Sequence, residues 1–176
     1  MGSGSESHRE RATALGCWLA GQDVHLLTGG GGGVMNAVSE AFCGVPGRRG
    51  LVIGVLPGDE HTPEAGSPRA GYPNPWVEIP ILTHLPLSGR RGREPLSRNH
   101  INVLSSDVVV ALPGGAGTAS EVALALHYRR PVVAYLDDRS DIVGLPVEVT
   151  VASDLAAVEA FVQTHIAQRR SRGTEK

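Results

Sequence analysis

The sequence predicts an α/β protein with a doubly wound parallel sheet and helices on both faces. Short apolar runs alternate along the 176-residue chain with segments of helical periodicity. The apolar runs are continuous, which is typical of parallel strands that are covered on both sides. Two glycine-rich turns join a strand to the helix that follows it, as in nucleotide-binding domains. These three features together indicate a Rossmann-like fold.

Each predicted strand is an apolar run that ends at a turn former or a polar segment. Glycines follow the first run, and Pro57 and Gly58 close the second. The predicted strands are Val24–Thr28, Leu51–Leu56, Val77–Leu82, Asp107–Leu112, Pro131–Leu136 and Val147–Val151.

The predicted helices lie between these strands and at the ends of the chain. In the first helix, Leu15 and Leu19 share one side at helical spacing. The second ends at Gly44, and Ser153 is predicted to cap the last. The predicted helices are His8–Gly21, Val34–Gly44, Leu96–Ser105, Thr118–Tyr128 and Ser153–Gln168. Residues 1–168 are predicted to form one domain and residues 169–176 a polar tail.

At the N-terminus, the order of the predicted elements differs from that of a doubly wound sheet. A doubly wound sheet opens with a central strand, whereas here MGSGSES leads directly into a helix. This small, polar stretch is typical of the turn that follows a first strand. We therefore expect the natural chain to start upstream of Met1.

Charge and composition exclude several classes of function. The chain has 16 basic and 18 acidic residues, a balance that argues against nucleic acid as a partner. No apolar stretch approaches the ~18 residues of a membrane helix, and the N-terminus lacks the apolar core of a signal peptide, so a cytoplasmic protein without a membrane partner is expected. Lys176 is the only lysine, which excludes an internal pyridoxal phosphate lysine and a Walker A loop.

The cysteines and histidines do not predict a metal site. Cys17 and Cys43 are too few for a disulfide framework or a zinc site, and both are predicted as buried free thiols in helices. The seven histidines are scattered without the spacing of metal ligands.

Two glycine-rich loops are the candidates for ligand binding. Thr28–Met35 (TGGGGGVM) and Pro113–Glu121 (PGGAGTASE) each follow a predicted strand and open a helix. This arrangement directs free N–H groups and a positive helix end at an anion, and glycine lets a phosphate approach the backbone. The predicted phosphate-binding residues are Gly30, Gly31 and Gly32 in the first loop and Gly114, Gly115, Ala116, Gly117 and Thr118 in the second.

Three further residues near these loops allow two interpretations each. Thr118 can donate its hydroxyl to the phosphate, or it can form a capping box with Glu121. Arg98 opposes the dipole of the helix that it precedes, so it is predicted to bind phosphate or to pair with a carboxylate such as Glu121. A solvated surface arginine is the alternative. Tyr72, which with Trp76 flanks a Pro-rich loop, can stack on a flat heterocycle or pin that loop to the body of the protein.

The two loops and Arg98 together resemble the LOG (LONELY GUY) family and its sister group, the molybdenum cofactor carrier proteins. The PGGxGTxxE motif of LOG proteins is complete at residues 113–121, and Gly29–Met35 is similar to their upstream GGGxxGLM loop. Residues 97–106 are closer to the carrier-protein branch, which has a similar arginine-led helix. The resemblance extends from about Leu26 to Leu136.

The LOG resemblance implies a phosphoribohydrolase that cleaves a nucleoside 5′-monophosphate into base and ribose 5-phosphate. By the family pattern, Gly114–Thr118 would hold the 5′-phosphate, and Glu121 and Arg98 would be the catalytic residues. Glu121 would act on the ribose or the attacking water, and Arg98 would position the sugar phosphate. No cofactor is required for this reaction, and a homodimer or higher homo-oligomer is implied.

The carrier branch implies a different function, in which the protein holds the molybdenum cofactor without chemistry. Three departures from the LOG pattern put the enzyme activity in doubt, and one of them is the missing first strand. Asn99 follows Arg98 where LOG enzymes usually have lysine, and the first glycine loop is one residue shorter than theirs. Under either interpretation the partner is a small phosphorylated ligand.

Overall fold

The computed structural model describes residues 1–59, 61 and 67–173, which contain six strands and five α-helices. The strands are β1 (Leu26–Thr28), β2 (Val52–Leu56), β3 (Ile79–Leu82), β4 (Val109–Ala111), β5 (Val132–Tyr135) and β6 (Thr150–Ala152). The helices are α1 (Arg9–Ala20), α2 (Gly33–Cys43), α3 (Asn99–Ser105), α4 (Ala116–His127) and α5 (Leu155–Gly173). Every predicted element forms, so the α/β class is confirmed. Within the described residues, no helix is long and apolar enough to span a membrane.

The six strands form two parallel half-sheets. The first half-sheet has the order β1-β2-β3 and the second has the order β4-β5-β6. Leu26 pairs with Val52 in the first, and Val109 pairs with Val132 in the second. Because all the pairs are parallel, the loops that follow the strands meet at one edge, where ligands bind in doubly wound folds.

Helices cover both faces of the second half-sheet. Strand β5 is buried throughout, and its side chains alternate between two core clusters. Val133 and Tyr135 pack with residues of α1, α2 and α5, whereas Val132 and Ala134 pack with residues of α3 and α4. This two-sided burial explains why the strand is a continuous apolar run in the sequence.

Helix α5 differs from its prediction at both ends. It begins at Leu155, and the Asp154 carboxylate accepts a 2.8 Å hydrogen bond from the Ala157 N–H. The prediction of Ser153 as the cap is therefore wrong, because the helix starts one position later than the spacing suggested. The helix also continues to Gly173, so residues 169–173 of the predicted tail are helical; Lys176 lies outside the described residues.

The two cysteines are free thiols, and only one of them is partly buried. Cys43 is half-buried, and burial raises the pKa of its thiol. Cys17 is exposed on α1, so the prediction that it is buried is wrong. Cys17 follows Leu15 by two positions and precedes Leu19 by two, a spacing that turns it away from the side that these leucines share.

Helices α1 and α2 pack closely at Gly16. A methyl group at this position would lie 2.6 Å from the Val38 carbonyl oxygen and 2.8 Å from the Ala41 Cβ. Glycine therefore permits the two backbones to approach each other. This contact fixes the helices that follow the N-terminal segment and the first glycine loop.

Replacing Gly16 by alanine should destabilise the fold by about 1–3 kcal/mol, because the backbone of α2 must move to admit the methyl group. Gly44→Ala is the matched control, since Gly44 has a φ of −70° and its nearest neighbour would lie at 3.4 Å. Urea unfolding measures both. Equal stability of the two variants would contradict the close packing at Gly16.

Candidate functional site

A polar pocket of about 350 Å³ lies at the edge of the sheet where the strands end. Its walls come from the N-terminal turn (residues 2–5), the residues at the start of α3 and the first turns of α4, with further residues from α2 and from the loops at Tyr72 and Gly89. The lining residues are Gly2, Ser3, Gly4, Ser5, Met35, Tyr72, Ser88, Gly89, Arg98, Asn99, Gly115, Gly117, Thr118 and Glu121.

The N-terminus of α4 is open to an anion. Gly115 is the N-cap residue, and no side chain caps the helix. The first N–H groups of a helix have no partner within the helix, and they carry the positive end of its dipole. Gly115, Gly117 and Thr118 all line the pocket, so this helix end borders it directly.

Thr118 lies inside the first turn of α4 rather than at its cap. It is the third residue of the helix and is buried, and its side chain does not cap the helix. The capping-box interpretation of Thr118 and Glu121 is therefore wrong. The spacing of a capping box also fits a helix that begins two residues before the threonine, so spacing alone could not separate the two.

Arg98 is buried beside the same helix end. Only 4% of the residue is exposed, and it immediately precedes α3. Its Nη1 lies 3.9 Å from a Glu121 carboxylate oxygen and 3.4 Å from the Asn99 side-chain oxygen. Its Nε has no hydrogen-bond partner in the protein. The interpretation of Arg98 as a solvated surface residue is therefore wrong.

This arrangement places an incompletely satisfied cation at the pocket. At 3.9 Å the pair with Glu121 is longer than a hydrogen bond, so it compensates the buried charge only in part. A buried donor without a partner is costly. An anionic ligand in this pocket would pair with the guanidinium, because Arg98 is one of the lining residues.

Glu121 lies near two cations. Its side chain is 13% exposed, and it faces Arg98 on one side. The Met1 ammonium is close enough for the Glu121 charge to affect it: burial lowers the pKa of this ammonium, and Glu121 acts in the opposite direction. The carboxylate therefore contributes to the charge balance of the site and also lines the pocket.

The first glycine loop supports the pocket from outside. Gly29 lies directly against the Arg98 guanidinium, which a methyl group at this position would overlap. Gly33 has a φ of +57° and lies against the N-terminal turn, and Ser3 O accepts a 2.9 Å hydrogen bond from Val34 N–H.

Gly30, Gly31 and Gly32 are not among the residues that line the pocket. Gly30 and Gly31 are buried, and Gly32 is exposed next to Gly4. Their contact with a phosphate stays a prediction. In the second loop, Gly114 and Ala116 flank the lining residues Gly115 and Gly117 without lining the pocket themselves.

Sequence reasoning missed Asn74 as a supporting residue. Asn74 is buried and binds the first glycine loop twice: its N–H donates to Gly30 O at 2.7 Å, and its side-chain amide donates to Gly31 O at 2.9 Å. An asparagine between two prolines is a turn signal, but nothing in the sequence indicated which loop it holds. Tyr72 lines the pocket, so both interpretations of this residue stay open.

A second missed feature is the segment before α3, which includes a short 3₁₀ turn at Gly89–Arg91. The Ser120 hydroxyl donates a 3.0 Å hydrogen bond to Gly89 O on this turn. The His100 ring lies 3.0 Å from Glu94 O and 2.7 Å from the Tyr128 hydroxyl. These contacts hold one wall of the pocket against α4. Across residues 1–59, 61 and 67–173, no group of three or more His, Cys, Asp or Glu side chains could hold a metal ion.

Comparisons with known proteins place the chain among relatives of similar length. A family model described as the SLOG cluster4 family matches residues 1–164. The molybdenum cofactor binding protein from the phototrophic bacterium Rippkaea orientalis is 31% identical with a TM-score of 0.66, over 92% of this chain and 91% of that one. The molybdenum cofactor carrier protein MCP from Chlamydomonas reinhardtii is 32% identical with a TM-score of 0.64, over 95% and 96%. An uncharacterized protein of Archaeoglobus fulgidus is 32% identical over 123 residues, which are 70% of this chain and 67% of the relative. These similarities confirm the Rossmann-like fold.

Gly114→Ala should destabilise the protein by about 1–3 kcal/mol, because the added methyl group would overlap the Thr118 hydroxyl and lie 2.8 Å from Ser3 N. Gly115→Ala is the matched control, since no atom lies within 4 Å of a methyl group there. It should cost only about 0.5 kcal/mol, because alanine is a weaker N-cap than glycine. Thermal unfolding at one protein concentration compares the two. A neutral Gly114→Ala would contradict the packing of the N-terminal turn on this loop.

Proposed function

Because this chain belongs to the SLOG cluster4 family and has a buried arginine at an open helix end, we propose that it binds and carries a phosphorylated pterin of the molybdenum cofactor type. The predicted relationship to the LOG and carrier-protein superfamily is confirmed. The choice of ligand and of a carrier role is our proposal. The observation that supports it most is the Arg98 guanidinium, whose Nε has no partner in the protein.

The chemistry of the pocket suits a phosphate group. The N–H groups of the α4 first turn and the Arg98 guanidinium converge on one space, and both favour an anion with several acceptor oxygens. Thr118 adds a hydroxyl at the same helix end. Charge-assisted hydrogen bonds of this kind contribute about 1.5–3 kcal/mol each.

The rest of the pocket suits the planar part of such a ligand. Tyr72 and Met35 are also lining residues, and in the first glycine loop a methyl group on Gly31 would lie 2.8–3.0 Å from both side chains. An aromatic ring and a thioether together give an apolar, polarisable surface for a heterocycle. The volume of about 350 Å³ falls within the range of small-molecule sites.

Hydrolysis of a nucleoside 5′-monophosphate, which the sequence placed first, is the second candidate. It is favoured by the Glu121 carboxylate, which lines the pocket and is only loosely paired with Arg98. A carboxylate beside the ribose can stabilise the positive charge that develops as the base leaves, or activate a water molecule. We place it second because Asn99 stands where LOG enzymes usually have lysine, and because the two solved structures named above are described by cofactor binding or carriage.

A bound cofactor should be detectable in the purified protein. Protein produced in a host that makes molybdenum cofactor should retain a pterin phosphate, which acid oxidation and fluorescence chromatography would identify. Protein from a host deficient in cofactor synthesis is the control and should show none. If both preparations are folded and both show only background fluorescence, the carrier proposal is contradicted.

Arg98→Lys should weaken the binding of a pterin phosphate or AMP by about 10- to 100-fold. Lysine keeps the charge but loses the planar set of donors that fits a phosphate, and the loss equals about one charge-assisted hydrogen bond. Arg129→Lys, at an exposed arginine just after α4, is the matched control. Isothermal calorimetry measures the affinities, and circular dichroism checks the fold. Similar affinities for the two variants would show that Arg98 does not contribute to ligand binding.

Glu121→Gln separates the two candidate functions. As a carrier, the wild-type protein and the variant should both bind AMP and release no free adenine, which chromatography would detect. Release of base by the wild-type protein that disappears in the variant would instead establish hydrolysis and make Glu121 its catalytic carboxylate.

A further inference from the structure

An apolar cleft of about 490 Å³ separates the two half-sheets. Its walls include β1 and β4, each of which is the terminal strand of its own half-sheet. Leu26 and Val110 line it, together with Val38 of α2 and Val162 of α5. All four side chains belong to one hydrophobic cluster that spans the two half-sheets. The cleft therefore lies inside the fold.

Met1 already occupies one end of this cleft as a strand residue would. Its N–H group donates a 2.8 Å hydrogen bond to Val110 O, and its carbonyl accepts a 2.8 Å bond from Leu112 N–H. This pair of bonds is the pattern of a parallel ladder, with Met1 opposite Ala111. Ser3 then bonds Pro113 O at 2.9 Å as the chain turns toward α1. The register runs along β4 toward Asp107.

The charge at Met1 does not suit its position. The ammonium is partly buried, and this burial lowers its pKa. A peptide N–H at the same place would donate the same hydrogen bond to Val110 O without the cost of a buried charge. The environment of this nitrogen is therefore that of a peptide group within a strand.

We propose that residues directly preceding Met1 in a longer form of this chain fill the cleft as a parallel strand between β1 and β4. In the register of Met1, about five residues at ~3.3 Å each would run beside β4 and the residues before it. Such a strand, covered on both faces, would be a continuous apolar run. It would join the half-sheets into one sheet of seven strands and fix the N-terminal turn against the ligand pocket. This inference does not depend on the proposed ligand.

The intact mass of the protein purified from its natural source tests the occupant. We expect a mass above that of the 176-residue chain by at least about five residues, with sequencing of the N-terminal peptide showing an apolar run. A mass that matches a start at Met1, with or without the methionine, would overturn the proposal. The occupant of the cleft would then be a strand of a second copy of the chain or an apolar ligand.

A pair of extended chains tests whether the cleft accepts a strand. One carries Ile-Val-Val-Val-Val directly before Met1, and the matched control carries Gly-Ser-Gly-Ser-Gly at the same place. The apolar extension should raise the Tm by more than about 5 °C over the control, because several side chains leave water and the buried ammonium is replaced by a peptide group. An equal Tm for both, with both chains monomeric, would overturn the proposal.

Discussion

The burial of the Arg98 guanidinium constrains this site more than any other contact. A cation that is 4% exposed requires compensation, and the protein supplies it only in part through Glu121 and Asn99. Glycine at position 29 leaves room for the guanidinium, which a Cβ there would overlap in its present position. The first glycine loop, the start of α3 and the first turns of α4 are therefore arranged around one charge.

The parallel architecture explains why these segments meet. The loops after β1 and β4 and the N-terminal turn all lie at the edge where the strands end. Close packing then fixes their positions: α1 contacts α2 through Gly16, and Ser120 of α4 holds the turn at Gly89. These contacts hold the walls of a polar pocket in place.

Much of this could be predicted from the sequence because the signals are local. Continuous apolar runs identified all six strands, and the PGGAGT loop identified the helix end that borders the pocket. Local patterns could not decide between Ser153 and Asp154 as a cap, or show that Thr118 lies inside its helix. They also could not place Asn74, or the glycines 30–32, relative to a pocket formed by segments distant in the chain. Those positions depend on tertiary packing, for which a single sequence carries no spacing signal.

The central claim is that a phosphate-bearing ligand binds between the first turn of α4 and Arg98. Backbone amide NMR during titration with a pterin phosphate tests it directly. The account predicts that the largest shifts fall on Gly115, Gly117 and Thr118, with smaller ones in the N-terminal turn and none at Gly44 or Gly47. Shifts confined to the cleft between β1 and β4 would contradict it.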